Sequence, residues 1–370
     1  MDVDHLVDTA KIVVCCGSGG VGKTTTAAAL AVRAAERGRR TVVLTIDPAR
    51  RLAQSMGLTE LDNTPRQVQG IDGDLDAMML DMKRTFDEVV ESQATPEKAE
   101  QILRNPFYIA LSSSFAGTQE YMAMEKLGQI HRQAKADGTY DLIVVDTPPS
   151  RSALDFLDAP ERLSSFLDGR FIRLILAPAK GPARLMTAGL SVVTNALTKV
   201  LGTQVLRDMQ TFVAAFDTLF GGFRARAEKT FALLQADGTA FLVVAAPEAD
   251  ALREAAYFVE RLGADRMPLA GLVVNRASTP PADELSEDEA RAAAGRLEKV
   301  RGARADSASR TAGLLRLHAD RSRLVAREAL ERRRFAAAHP DVPTVVVPAL
   351  ASDVHDLTGL RRIGALLAGR

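Results

Sequence analysis

Residues 17–24 read Gly17-Ser18-Gly19-Gly20-Val21-Gly22-Lys23-Thr24, and no other stretch of the chain restricts its fold so tightly. The segment follows the apolar run 11–16 and opens the Ala-rich stretch 24–37, so it joins a strand to a helix. In that context the spacing G-x-x-x-x-G-K-[ST] is a phosphate-binding loop. Its glycines let backbone N–H groups converge on phosphate oxygens, and the helix N-terminus adds partial positive charge. A plain glycine turn has no need of the Lys-Thr pair. Lys23 is placed to contact the β- and γ-phosphates of a nucleoside triphosphate, and the Thr24 hydroxyl to ligate Mg²⁺. Gly19, Gly20, Val21, Gly22 and Thr25 complete the expected nucleotide-binding set.

Short β-branched runs at 11–16, 41–45, 78–81, 142–146, 241–246, 269–275 and 342–347 alternate with helical patterns. Continuous apolar strands of this kind predict an α/β fold, a doubly wound and mostly parallel sheet covered on both faces, with ligands at the carboxyl ends of the strands. Two intervals are too long for simple crossovers. They carry apolar residues at helix spacing, as in Met122, Met124, Leu127 and Ile130 and again in Phe212, Phe216, Leu219 and Phe220. The expected division is a nucleotide-binding core of 1–82, 138–150 and 239–370 with an inserted helical subdomain of 83–137 and 151–238. The stretch 280–312, rich in charge, Ala and Gly, reads as a mobile loop or an exposed helix.

Lys plus Arg number 47 and Asp plus Glu number 47, so the overall field gives no reason to expect a nucleic-acid partner. The two cysteines, Cys15 and Cys16, are adjacent in an apolar run, an arrangement poorly suited to a structural disulfide and consistent with a reducing cytosol. The acidic N-terminus (Asp2, Asp4, Asp8) lacks the pattern of a signal peptide. The stretch 185–201 is too polar and short to read as a bilayer span. A cytoplasmic location is expected, with transient membrane association left open.

Asp146 ends the run Leu142-Ile143-Val144-Val145, the position of a carboxylate that bonds a water of the Mg²⁺ shell. Thr147-Pro148-Pro149-Ser150 then forms a stiff turn suited to sensing the γ-phosphate; the competing reading is a strand-capping Asp. Asp47 ends the second strand in Ile46-Asp47-Pro48-Ala49, placed to orient an attacking water, against the plainer reading of an Asx-Pro turn.

Together these motifs resemble the ATPase family of the arsenite-pump ATPase ArsA and of the guided-entry factor that delivers tail-anchored membrane proteins. Within it, the chain looks most like the paired ArsA-like ATPases of actinobacteria. The matching segments are Ser18–Thr24, Asp47-Pro48-Ala49 and Asp146-Thr147-Pro148-Pro149. Asn275, in Leu272-Val273-Val274-Asn275, matches the family's adenine-contacting Asn, and Pro348-Ala349-Leu350 resembles its adenine loop. The resemblance implies ATP and Mg²⁺ as cofactors, Lys23 and Asp47 as catalytic residues, and Thr24, Asp47 and Asp146 around the metal. It also implies a dimer whose two sites face each other.

One departure is pronounced. The family places a lysine at the first position of its loop, reaching across the dimer to the partner's phosphates, and here that residue is Ser18. A hydroxyl supplies no positive charge to the transition state, where such a cation is worth on the order of 10³–10⁵ in rate. The expectation is a heterodimer with a paralogue that keeps the lysine. The alternative is a homodimer using another cation such as Arg50 or Arg51. A nucleotide-binding regulatory subunit with little turnover is the rival from a different class, and a DNA-partitioning ATPase a weaker third.

Neither long interval contains cysteine, so neither arsenite activation nor a structural zinc is expected. Phe171, Leu174, Leu176, Met186, Val192, Val193, Leu197, Met209 and Phe212 are candidates for an apolar client groove, although such a stripe more often packs within its own domain. The C-terminal segment 360–367 is expected to dock as a helix in preference to lying on a membrane.

Overall fold

The computed structural model describes residues 1–46, 51–106, 108–109, 112, 118–148, 225–280, 282, 284–301 and 304–370. The chain runs α1 (Val3–Thr9), β1 (Ile12–Gly17), α2 (Lys23–Glu36), β2 (Thr41–Thr45), α3 (Arg51–Ser55), β3 (Arg66–Gln67), β4 (Leu75–Met79), α4 (Met82–Gln93) and α5 (Pro96–Leu103). It continues through α6 (Thr118–Asp137), β5 (Leu142–Asp146), β6 (Thr239–Ala245), α7 (Ala249–Ala264) and β7 (Leu269–Ala277). The last elements are α8 (Glu287–Leu297), α9 (Ala305–Ala338), β8 (Thr344–Pro348) and α10 (Leu357–Leu367).

The eight strands form one sheet in the order β3-β4-β2-β5-β1-β6-β7-β8, parallel throughout except for the β3–β4 edge pair. This is the doubly wound α/β architecture that the apolar runs predict. All six residues of β1 are buried, and they alternate between the two faces. Ile12, Val14 and Cys16 join one core with Leu44, Phe86, Met122, Met124, Leu127 and Phe258. Val13 and Cys15 join the other with α2, α1 and α10. Double-sided burial of this kind is why the strand sequences read as unbroken apolar runs.

The alanines of α2 explain how the helix lies close to the sheet. Ala27, Ala28, Ala29, Ala31, Ala34 and Ala35 are fully buried, so the helix presents backbone-sized bumps to the sheet on one side and to α10 on the other. Leu360, Ile363 and Leu367 seal α10 over α2, and Arg361 is committed to Glu36 at 2.7 Å and to the Gly70 carbonyl at 2.7 Å. The C-terminal segment therefore docks as a helix, chiefly on α2.

Some boundaries differ from the sequence expectation. The strand expected at 78–81 is β4, which runs from Leu75 to Met79, because Asp81 leaves the sheet to cap α4 and accepts a hydrogen bond from the Arg84 amide at 2.9 Å. The stretch 280–312 contains a deliberate helix start: Ser286 and Glu289 form a reciprocal capping box that opens α8. From Ala305 the 34-residue α9 runs for about 50 Å and packs against α8 through buried Ala290, Ala294, Ala308 and Ala312. Of the two readings of that stretch, the exposed helix describes its helical parts. The helices of 83–137 contribute Phe86, Val89, Met122 and Leu127 to the core shared with the sheet. Among the described residues no helix is long and apolar enough to cross a membrane. The stretch 185–201 and the groove candidates from Phe171 to Phe212, with Phe216, Leu219 and Phe220, lie outside the described residues.

Candidate functional site

The loop leaves β1 at Gly17, whose φ of +147° is open to glycine, and a Cβ there would sit 2.1 Å from the Val244 carbonyl oxygen of β6. The chain can therefore turn tightly between strand and helix only without a side chain. Gly22 holds φ at +96° immediately before Lys23 begins α2, which leaves the first amides of that helix at the mouth of the loop. Thr24 and Thr25 are half-buried in the first turn; Thr26 is buried and donates its hydroxyl back to the Gly22 carbonyl at 3.0 Å.

Lys23 is 7% exposed, and its Nζ donates to the Ser18 carbonyl oxygen at 2.8 Å, which bends the side chain back over the loop. Ser18 takes part in that bond through its backbone alone. Two neighbours on β7 brace the loop from the other side. The Asn275 amide donates to the Val21 carbonyl at 2.8 Å, and the Arg276 guanidinium donates to the Gly20 carbonyl at 3.0 Å. Arg276 itself adopts φ +58°, at the irregularity where β7 shifts register against β8. Its role escaped the sequence reading, because nothing local announces a left-handed arginine.

Register gathers the remaining groups. Asp146 lies opposite both Cys15 and Thr45, so the carboxyl ends of β1, β5 and β2 meet. Asp146 is fully buried; Thr45 Oγ1 donates to its Oδ2 at 3.0 Å, and the Ile46 amide donates to its backbone carbonyl at 2.9 Å. Thr147 is buried and its hydroxyl donates to the Cys15 carbonyl at 2.9 Å, which ties the start of the 147–150 turn to the strand feeding the loop. From Ile46 the chain enters 47–50; Asp47, Pro48, Ala49 and Arg50 lie outside the described residues, as do Pro149 and Ser150. Pro348 lies opposite Ala277 at the end of β8, and the Ala349 amide donates to the Ala277 carbonyl at 2.9 Å. Pro348 and Leu350 thus sit at the same end of the sheet as Asn275.

The site is more acidic around its rim than its sequence motifs suggest. Ser18, Gly19 and Gly20 share a cleft of about 370 Å³ with Glu248, Glu254 and Arg276. Beneath the loop, burial pushes the Cys16 thiol up to about 12 despite the opposing charge of Lys23, and burial raises Cys15 as well, with the Asp146 charge adding to it.

The donor set suits a magnesium triphosphate. Backbone amides, a buried ammonium, a threonine hydroxyl and a carboxylate are hard, oxygen- and phosphate-directed partners. Mg²⁺ commonly takes one or two protein groups and completes its shell with phosphate and water. Among the described residues no group of three or more His, Cys, Asp or Glu side chains able to cage a metal is present.

Comparison with known proteins identifies the family of the chain. The profile of the anion-transporting ATPase family matches residues 10–301. The chain is 25% identical over 287 residues to the ATPase GET3C of Arabidopsis thaliana, covering 73% of this chain and 68% of that protein. It is 28% identical over 272 residues to the ATPase ASNA1 homolog of Cryptosporidium parvum, covering 74% of this chain and 66% of the relative. A putative arsenical pump-driving ATPase of Prosthecochloris vibrioformis is 30% identical over 158 residues, 42% of this chain and 36% of its own length. The alignments thus span about two thirds of the first two relatives and about a third of the third.

Proposed function

Because the chain belongs to the anion-transporting ATPase family, a family of ATP hydrolases, we propose that it binds MgATP in the 17–24 loop and uses hydrolysis to open and close a dimer acting on a client. The observation that carries the nucleotide reading is Lys23, buried at the start of α2 and held over a loop whose carbonyls are pinned by Asn275 and Arg276. A loop braced before the ligand arrives loses little entropy on binding it. Thr24 and Asp146, with Asp47, are the residues that would hold Mg²⁺, which supplies charge neutralisation across the phosphates. In this reading Asp47 orients the attacking water, Lys23 stabilises charge on the transferred phosphoryl group, and Asn275, Pro348 and Leu350 receive the adenine.

The division into a core and a helical insertion of 83–137 and 151–238, with the insertion meeting an apolar client or a membrane protein, belongs to the same proposal. So does the partner. Ser18 stands where a cation is needed, which favours pairing with a lysine-bearing paralogue in the cytoplasm over a homodimer. The rival reading, a regulatory subunit that binds nucleotide with little turnover, is favoured by the same residue. Calorimetry with MgADP tests the binding step: Lys23→Ala is expected to abolish uptake, and uptake unchanged by that substitution would overturn the site. Phosphate release by the chain alone, with its co-purifying partner, and as Asp47→Asn separates the two readings. A partner that accelerates turnover at least tenfold supports the enzyme, and equal slow rates in all three support the regulatory subunit.

A further inference from the structure

Where β7 and β8 form the sheet edge, a cavity of about 330 Å³ opens between the strands and two helices. Its floor is Leu272 and Val274 of β7, and Val346 of the edge strand β8 stands at its mouth. Leu252 of α7 and Phe335 of α9 form its sides. Four of these five side chains are buried, and Val346 is 38% exposed at the mouth. Arg332, Arg333 and Thr344 are the polar members of its lining. Arg332 lines the cavity, and its Nε is sealed from solvent with no hydrogen-bond partner among the described residues.

That combination is unfavourable as it stands. A buried N–H without an acceptor is costly. The neighbouring carboxylates are engaged elsewhere. Arg334 is paired with Glu331 at 2.8 Å, and the carboxylate one turn back, Glu328, accepts from the Ser278 amide at 2.7 Å and its hydroxyl at 2.8 Å. What would satisfy Arg332 is an acceptor carried into the cavity, and a planar carboxylate matches the fork of Nε and a terminal nitrogen. Apart from Arg333 and Thr344 the lining is aliphatic and aromatic, so a ligand that fills the cavity carries its acceptor on an apolar body. The volume lies at the small end of the range for small-molecule sites.

We propose that this cavity is a binding site for a small amphipathic carboxylate, with its apolar body against Leu272, Val274 and Phe335 and its carboxylate on Arg332. The site is separate from the phosphate loop and independent of the nucleotide reading.

Octanoate serves as the probe, titrated calorimetrically into the full chain, with octan-1-ol and acetate as controls for tail without charge and charge without tail. The expected result is saturable binding of octanoate at one per chain, with both controls weaker by at least about tenfold, and a loss of about 10–100-fold in Arg332→Gln. Arg332→Lys keeps part of the affinity. Val346→Phe, a substitution at the partly open mouth, blocks binding without touching the charge and decides the matter if Arg332→Gln does not fold. Equal binding of octan-1-ol, an undiminished Arg332→Gln, or no saturable uptake by the unaltered chain overturns the proposal.

Discussion

The side-chain amide of Asn275 donates to the carbonyl oxygen of Val21 at 2.8 Å, joining the end of β7 to the middle of the phosphate loop across 254 residues of sequence. Both residues are buried, at 7% and 4% exposure, so the bond forms where water cannot replace it. Asn275→Ala leaves the Val21 carbonyl without its acceptor role filled, a cost of about 1–3 kcal/mol. The expected outcome is a loss of roughly tenfold in MgADP affinity by calorimetry, with a modest fall in the unfolding midpoint.

Gly22 and Asn275 are coupled more tightly than that bond alone implies. A Cβ on Gly22 would lie 2.2 Å from Asn275 Nδ2, and φ at +96° disfavours any side chain there. Gly22→Ala is expected to abolish measurable nucleotide binding. Combining it with Asn275→Gly removes the clash but keeps the backbone strain of about 1–2 kcal/mol. The double variant should therefore recover measurable affinity; a double variant that binds no better than Gly22→Ala by calorimetry would exclude the steric coupling.

Cys15 and Cys16 lie beneath the loop with their thiols held neutral by burial. A thiol-reactive chromogen at pH 8 should label neither in the folded protein and both after denaturation. Because these thiols ionise more readily when unfolded, they contribute stability below their ordinary value near 9 that declines as pH rises above it. Fast labelling of native protein would show that the loop opens the β1 end to solvent.

The site's legibility in sequence follows from how local each signal is. Lys23, Thr24 and the glycines announce themselves because one turn carries all of them, and Asp146 because an apolar run stops there. Arg276 was invisible: its bond to Gly20 depends on φ +58° and on a register shift between β7 and β8, neither of which leaves a mark in composition. The acidic rim of Glu248 and Glu254 was equally hidden, since it is assembled by the approach of α7 to the loop. Strand β4 was placed three residues late because Asp76 interrupts its apolar run, and that carboxylate is there to accept from the Tyr140 hydroxyl at 2.5 Å.

Asp4 fastens the N-terminal helix to α2. Its hydrogen bond from Arg33 holds its carboxyl below the ordinary value of 3.8, with burial opposing and the charges of Arg33, Arg37 and Arg370 assisting. The sign follows: a carboxylate with a depressed folded pKa contributes stability in full above its unfolded value and loses it as pH falls through the folded one. Asp4→Asn should lower stability by about 1 kcal/mol at pH 7, and the difference from the unaltered chain should shrink as pH falls below the ordinary value of 3.8 and the carboxyl takes up its proton. Denaturant unfolding at pH 7 and across the acid range checks this.

Ser18 offers a test of the missing cation that does not disturb the loop. Its backbone carbonyl, and not its hydroxyl, receives the Lys23 ammonium at 2.8 Å, so that bond survives replacement of the side chain. Ser18 is only half-buried and borders an open cleft, leaving room for a longer residue. A lysine introduced at this position restores a mobile positive charge at the edge of the phosphate site. If a cation delivered between subunits limits turnover, Ser18→Lys should accelerate phosphate release by the chain alone at least tenfold, within the range of about 10³–10⁵ available to such a group, while MgADP affinity changes less than threefold. Affinity reports the cradle and turnover reports the transition state, so the two readouts separate a repaired catalyst from a tighter binder. Unchanged turnover with intact binding would mean that charge at this position does not limit the reaction, and would remove the reason for requiring a lysine-bearing partner.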